Sequence, residues 1–252
     1  MGRITDTVKT LLIINIIVFI AGKFLISSEL IDGLFALWFP KHSNFHFWQV
    51  VTHMFMHGGT THLFFNMFAL YMFGSHIENA LGKNRFLFLY FSAGFGAVLL
   101  QLGYLYYSFI PGYQLYLNMG MDDLQIFKFI EESLSNGNFP VYEGIPVEQT
   151  TKMFTAYNTS MVGASGAIFG VLVAFAVLYP NLPLMLMFIP FPIKAKYLIG
   201  GYFLLDVYAA LSGNNIIGPA NTANWAHIGG AIVGFIIIWY WKKNWFNDKR
   251  LY

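Results

Sequence analysis

Ser165 lies in Gly163-Ala164-Ser165-Gly166, at the head of an apolar stretch. Far downstream, His227 lies in Ala226-His227-Ile228-Gly229-Gly230, inside another. A serine hydroxyl is a weak nucleophile until a base takes its proton, and an imidazole is a common base for it. The pair therefore points to acyl transfer, provided the fold brings the two side chains together. A third group reads His53-Met54-Phe55-Met56-His57, then His62-Leu63-Phe64-Phe65-Asn66. His62 and Asn66 are four apart and share a helix face. Both can donate hydrogen bonds to a developing oxyanion. His53 and His57, also four apart, have two readings: metal ligands or structural anchors of an outer segment. No carboxylate completes a zinc motif and no His-Glu-x-x-His is present, so the structural reading is preferred. No metal and no cofactor are expected.

These residues sit in an unusual solvent. Of 252 residues, 57% are hydrophobic, 19% aromatic and only 10% charged. Mean hydropathy is +0.56. A soluble domain averages about 25% charged residues, so the composition predicts a polytopic membrane protein with the lipid bilayer as its surroundings. The net charge of +2 gives no basis for nucleic-acid binding. The absence of cysteine excludes disulfides and thiolate metal sites. A basic start followed by an apolar run resembles a signal peptide, but no small-residue cleavage pattern precedes Lys23. A retained first membrane helix is expected.

Hydropathy predicts an all-α bundle of six transmembrane helices, at about Val8–Ile26, His62–Ala80, Phe86–Phe109, Gly166–Tyr179, Tyr197–Leu211 and Trp225–Trp241. Leu182–Ile193 carries Pro183, Pro190 and Pro192, which reads as an interfacial connector, because proline removes backbone donors. Residues 27–61 read as a partly embedded external segment between the first two spans. Residues 110–158 read as a long external insertion between the third and fourth. Within it Leu124, Phe127, Ile130 and Leu134 recur at helical spacing. A single membrane domain over 1–252, with 110–158 as an insertion within it and without internal repeats, is expected. Arg3, Lys9, Lys83, Arg85, Lys194, Lys196, Lys242, Lys243, Lys249 and Arg250 fall on one side of this arrangement. Only Lys23, Lys41, Lys128 and Lys152 fall on the other. The positive-inside rule then places both termini in the cytoplasm.

The fourth span is short. Its 14 residues make about 21 Å of helix, against a hydrocarbon core of ~30 Å. Ser165 is therefore expected below the outer surface, at a helix start facing an aqueous cavity open to the outside. Free N–H groups and the positive end of the helix dipole lie beside it. Ala226, Gly230 and Gly234 fall on one face of span six; Gly166, Gly170 and Ala174 fall on one face of span four. Small-residue stripes let helix backbones approach closely. If these stripes meet, His227 reaches Ser165. Asp206, in Leu205-Asp206-Val207, is costly in lipid; it reads as a structural hydrogen-bonding group or as the third member of a triad. Glu78, at the inner end of span two, reads as structural.

In this combination the chain resembles the rhomboid family of intramembrane serine proteases, of the prokaryotic six-span type. The resemblance rests on His53, His57, His62 and Asn66, on Gly163-Ala164-Ser165-Gly166, and on Ala226-His227 with Gly230 and Gly234. It covers the chain apart from 110–158. It implies a serine endopeptidase that cleaves other membrane proteins within or beside a transmembrane helix. Ser165 would be the nucleophile and His227 the base, a dyad without an essential acid. His62, Asn66 and the Ser165 amide would form the oxyanion hole. Phe169 would pack on the histidine ring, with Gly163, Gly166 and Gly230 in support. It also implies an inner-membrane location with the active site opening outward. The alternative is a non-catalytic member that binds or guides membrane-protein clients. A transporter would need ion-coordinating polar groups near mid-membrane, which are sparse. The family's Trp-Arg is replaced by Trp48-Gln49, which removes any guanidinium contact there. The insertion has three readings: cover over the site, contact with substrate ectodomains, or surface decoration.

Overall fold

The centre of the molecule is the one helix with no polar face. In the computed structural model, which describes residues 3–25, 27–137, 144–185, 191–216 and 222–244, α9 (Ser165–Leu178) contains no polar residue after Ser165. A helix apolar all round belongs inside a core. Gly166 through Leu172 are buried, as are Ala174 and Phe175. Around α9 pack α6 (Lys83–Asn118), α10 (Ala195–Ser212) and α11 (Asn224–Asn244). A composite helix completes the ring: α4 (Thr60–Ala69), a π-helical stretch (Leu70–Gly74) and α5 (Ser75–Leu81). The first helix, α1 (Asp6–Phe24), lies against the π-helical stretch.

Glycine sets the spacing of the three innermost helices. A Cβ added to Gly230 would lie 1.9 Å from the Gly166 carbonyl oxygen, and one added to Gly234 would lie 2.5 Å from Gly170 Cα. The small-residue faces expected to meet do meet, backbone against backbone. On the far side of α9, a Cβ on Gly166 would strike Ala97 Cβ at 2.3 Å, and one on Gly170 would strike Ala93 Cβ at 2.3 Å. α6 and α11 are as close, since a Cβ on Gly229 would fall 2.3 Å from the Gly96 oxygen.

The outward faces carry Ile13, Ile17 and Ile20 on α1, Leu99 and Tyr107 on α6, and Phe235 and Ile236 on α11, all exposed. Apolar surface of this extent needs a lipid neighbour, and the chain is a helical membrane protein. By length and hydropathy alone, α1 and α6 satisfy the requirement for crossing a bilayer, and α9 is a shorter apolar helix. Glu78 is structural, as expected: its Oε2 accepts the Val8 N–H at 3.1 Å, which satisfies one orphan donor at the start of α1.

The expected boundaries change in four places. α6 does not stop at Phe109 but runs 36 residues to Asn118, through Pro111. Packing explains this. α8 (Val147–Tyr157) docks on the extension at Gly112, where a Cβ would lie 2.6 Å from the Gln149 oxygen. Tyr116, Phe109, Ile126, Ile130, Met153 and Tyr157 close a separate core there. The amphipathic helix of the insertion exists as α7 (Asp123–Asn136), opened by a capping box of Asp122 and Gln125. Its buried face is Ile126, Ile130 and Ser133, whereas Leu124 is exposed; the stripe is rotated from the one expected. Thirdly, residues 27–61 hold α2 (Ser28–Phe35), the strand β1 (Leu37–Trp38) and α3 (Gln49–Thr52). β1 pairs antiparallel with β2 (Ser160–Met161), just before Gly163. Fourthly, in the proline-rich connector, β3 (Pro183–Leu184) pairs with β4 (Ile193–Lys194). Pro190, Ile26, Lys249 and Arg250 lie outside the described residues.

The α9–α11 contact yields a stability expectation. Gly230→Ala forces a methyl group into the Gly166 carbonyl, and overpacking of this kind costs typically 1–3 kcal/mol or more. We expect unfolding in detergent micelles to shift by at least ~2 kcal/mol. Gly201→Ala, at a position with nothing within 4 Å of an added Cβ, is expected to leave stability within about 0.5 kcal/mol.

Candidate active site

Ser165 is the first residue of α9, after Ala164 at the cap position. The first N–H groups of a helix have no intrahelical carbonyl, so donors surround the hydroxyl on its helix side. The chain reaches this point through Gly163, whose φ of +123° lies in a region that side-chain-bearing residues rarely adopt. A Cβ there would also fall 2.8 Å from His62 Nε2 and 3.6 Å from Asn66 Nδ2. Glycine at 163 thus brings the α4 donors against the loop that delivers Ser165.

Two interactions hold that loop. The Gly163 N–H donates to the His53 carbonyl at 2.9 Å, and the β1–β2 pair ties Ser160 and Met161 to the outer segment. Gln49 anchors the segment itself. It is fully buried; its Nε2 donates to the carbonyls of Gly33 (2.9 Å) and Asn44 (2.7 Å), and its Oε1 accepts the Trp38 N–H at 3.3 Å. The neutral amide satisfies three backbone groups where the family pattern has a guanidinium. His53 Nδ1 donates to the Gln49 carbonyl at 2.7 Å; that carbonyl can only accept, which fixes the tautomer.

His227 comes from α11. Its Nε2 lies 2.9 Å from Ser165 Oγ, within the range of a hydrogen bond. The Phe169 ring stacks on the imidazole, with centroids 4.3 Å apart and planes at 12°. Asp206, on α10, places both carboxylate oxygens near the other ring nitrogen, at 3.2 and 3.3 Å from Nδ1. His227, Phe169 and Asp206 are buried, and Ser165 is half-buried. Asn66 is also buried, and its Nδ2 has no hydrogen-bond acceptor among the described residues. His62 is half-buried and meets His57 edge to face, with centroids 5.1 Å apart.

The structure therefore brings Ser165, His227, Phe169, Gly163, Gly166, Gly230, His62 and Asn66 to one end of the bundle. Lys242 donates to the Val177 carbonyl at the opposite end of α9. His53 and His57 flank the site rather than enter it, and no cluster of three or more His, Cys, Asp or Glu side chains able to hold a metal is found among the described residues. What the residue pattern left open is Asp206. Its sequence signal is a lone carboxylate in an apolar helix; spacing along α10 says nothing of the distance to α11.

With this geometry in place, the chain can be set beside known proteins. The pattern of the Rhomboid domain matches residues 44–115 and 139–244. This chain belongs to the rhomboid family. It is 29% identical over 201 residues to the rhomboid protease AarA of Providencia stuartii, an alignment covering 75% of this chain and 54% of that protein. It is 38% identical over 52 residues to the putative rhomboid protease YdcA of Bacillus subtilis, covering 21% of this chain and 26% of that protein. A 65-residue stretch is 35% identical to the mitochondrial RHOMBOID-like protein 6 of Arabidopsis thaliana, covering 26% of this chain and 21% of that protein. The chain spans about half the length of AarA and less of the others. The two matched stretches skip residues 116–138, which hold the end of α6 and all of α7. α8 lies inside the matched region, so within 110–158 only residues 116–138 fall outside the family pattern; residues 1–43 and 245–252 also lie outside the match.

The outer segment carries a pH dependence. Burial pushes the rings of His53 and His57 down from 6.5 to about 4, and at His57 the neighbouring His62 adds to it. A depressed histidine favours the neutral ring in the folded state, so its stability is complete above pH 6.5. That stability is lost as pH falls towards 4, because the open segment takes up the proton first. The loss is on the order of 3 kcal/mol per ring at its limit. Amide hydrogen exchange of residues 44–60 is expected to accelerate between pH 7 and 4.5 beyond its intrinsic pH dependence. Unchanged protection factors would refute the assignment.

Proposed function

We propose that this chain is an intramembrane serine endopeptidase that hydrolyses peptide bonds in or beside transmembrane segments of other membrane proteins. The observation that carries the reading is the 2.9 Å contact of Ser165 Oγ with His227 Nε2, at the start of a buried apolar helix, in a chain of the rhomboid family. The related proteins named as rhomboid proteases support it.

The chemistry follows from the arrangement. His227 takes the Ser165 proton as Oγ bonds to the substrate carbonyl carbon. The negative oxygen is received by the Ser165 N–H, by Asn66 Nδ2 and by the His62 ring, donors set before the charge develops. The tetrahedral species collapses, and His227 returns the proton to the departing amine. A water molecule, deprotonated by the same imidazole, then bonds to the acyl carbon, the bond to Oγ breaks, and the ring returns the proton to Oγ. Phe169 holds the imidazole plane throughout. This reading takes the bundle as six spans: α1, the composite α4–α5 helix, α6, α9, α10 and α11. The start of α1 and the end of α11 then face the side that carries Lys83, Arg85, Lys194, Lys196, Lys242 and Lys243. Ser165 then lies nearer the opposite surface, from which water enters. Transmembrane proteins are the substrates, without metal or cofactor.

The test is cleavage of a single-span substrate in proteoliposomes. Ser165→Ala and His227→Ala are each expected to abolish product, because residues acting as a unit fail singly. Cleavage by Ser165→Ala at the wild-type rate would sink the proposal. Asn66→Ala is expected to lower kcat by about 10²-fold, the usual cost of one oxyanion donor, with little change in KM.

A further inference from the structure

We propose that Asp206 is a positioning residue for the reaction, so that this chain works with Ser165, His227 and Asp206 in line rather than with a dyad. The inference rests on the preceding reading of Ser165 as nucleophile and His227 as base.

The geometry begins with an expensive group. The Asp206 side chain is 6% exposed and the His227 side chain 8% exposed. A carboxylate buried in a membrane bundle is strongly disfavoured unless it is paired. Among the described residues, the hydrogen bonds of this carboxylate run to His227 Nδ1 alone, from both oxygens at 3.2 and 3.3 Å. An ionised carboxylate only accepts, so Nδ1 carries the proton. Nε2 then presents its lone pair to Ser165 Oγ, 2.9 Å away. This is the tautomer that base catalysis requires.

The same pair acts when charge moves. As the Oγ–H bond breaks and the Oγ–C bond forms, the proton passes to Nε2 and the ring becomes an imidazolium. Its positive charge arises beside the Asp206 carboxylate, in surroundings of low dielectric where the attraction is strong. The carboxylate does not take the proton. Other groups near the ring do not duplicate this role. Phe169 covers one imidazole face, and Tyr202, one turn before Asp206 on α10, packs on Phe169 with centroids 5.0 Å apart. His62, on the α4 side, offers no negative charge. A structural pair that merely pins α10 to α11 would make activity follow stability. A positioning carboxylate separates the two.

The experiment uses the full chain reconstituted with a single-span substrate. Asp206→Asn is expected to lower kcat by at least about 30-fold with KM within about threefold, while thermal unfolding stays close to wild type. Asp206→Glu is expected to recover part of the rate. In 15N-histidine spectra of the wild type, the signal lost in His227→Asn is expected to report an Nδ1–H ring. A wild-type His227 protonated on Nε2 would overturn the proposal, as would Asp206→Asn turning over within about threefold of wild type. If Asp206→Asn does not fold, the wild-type tautomer decides alone. A dead Ser165→Ala beside a fully active Asp206→Asn removes only the third member. An active Ser165→Ala removes the hydrolase reading itself.

Discussion

The contact between Gly166 and Gly230 governs the Ser165–His227 distance on which the proposed chemistry depends. Gly166 follows Ser165 directly, and Gly230 lies three residues after His227, so one backbone contact fixes the register of both side chains. A helix advances 1.5 Å per residue. Sliding α11 by one residue along α9 would lengthen and misalign the 2.9 Å contact. The glycines leave no space for such a slide, because the carbonyl of Gly166 already fills the place a Cβ on Gly230 would need. Close packing here is a distance gauge as well as a source of stability.

Register alone does not orient a hydroxyl at a helix start, and the outer segment supplies the rest. The loop into α9 is held by the Gly163 to His53 hydrogen bond and by β1–β2. Both depend on residues 37–57 keeping their shape. That shape rests on Gln49, whose buried amide saturates backbone groups from Gly33, Trp38 and Asn44. Buried backbone groups without partners are costly, so a neutral side chain that satisfies three of them stabilises the segment without importing a charge. The replacement of the family's arginine is thus compatible with an intact site.

Much of this was legible in the residues, for a physical reason. Hydropathy marks where helices run, and a glycine stripe marks where two of them touch, because only glycine permits that approach. Ser165, His227 and Phe169 are tied to those stripes, and their meeting followed. The extension of α6 past Pro111 was not legible, since it depends on α8 packing at Gly112, a contact distant along the chain. The face of α7 was read from Leu124 when Ile126 is the buried residue; a short amphipathic helix with apolar residues on several sides does not declare its orientation. The strand pair β1–β2 is two residues long, below any periodic signal. Asp206 was visible as an anomaly with two readings, structural group or third member of a triad, and the residues did not decide between them because spacing along one helix carries no information about its neighbour.

A carboxylate in an apolar bundle and a base that must become positive are each unfavourable alone. Placed 3.2 Å apart, they share one electrostatic solution. In the proposed mechanism the ring donates to the carboxylate before the reaction and is attracted to it once the ring has taken the serine proton. Low dielectric, which penalises either group in isolation, strengthens the interaction when both charges are present. The apolar surroundings that make hydrolysis improbable here are therefore the surroundings in which one buried acid has the largest influence on a histidine.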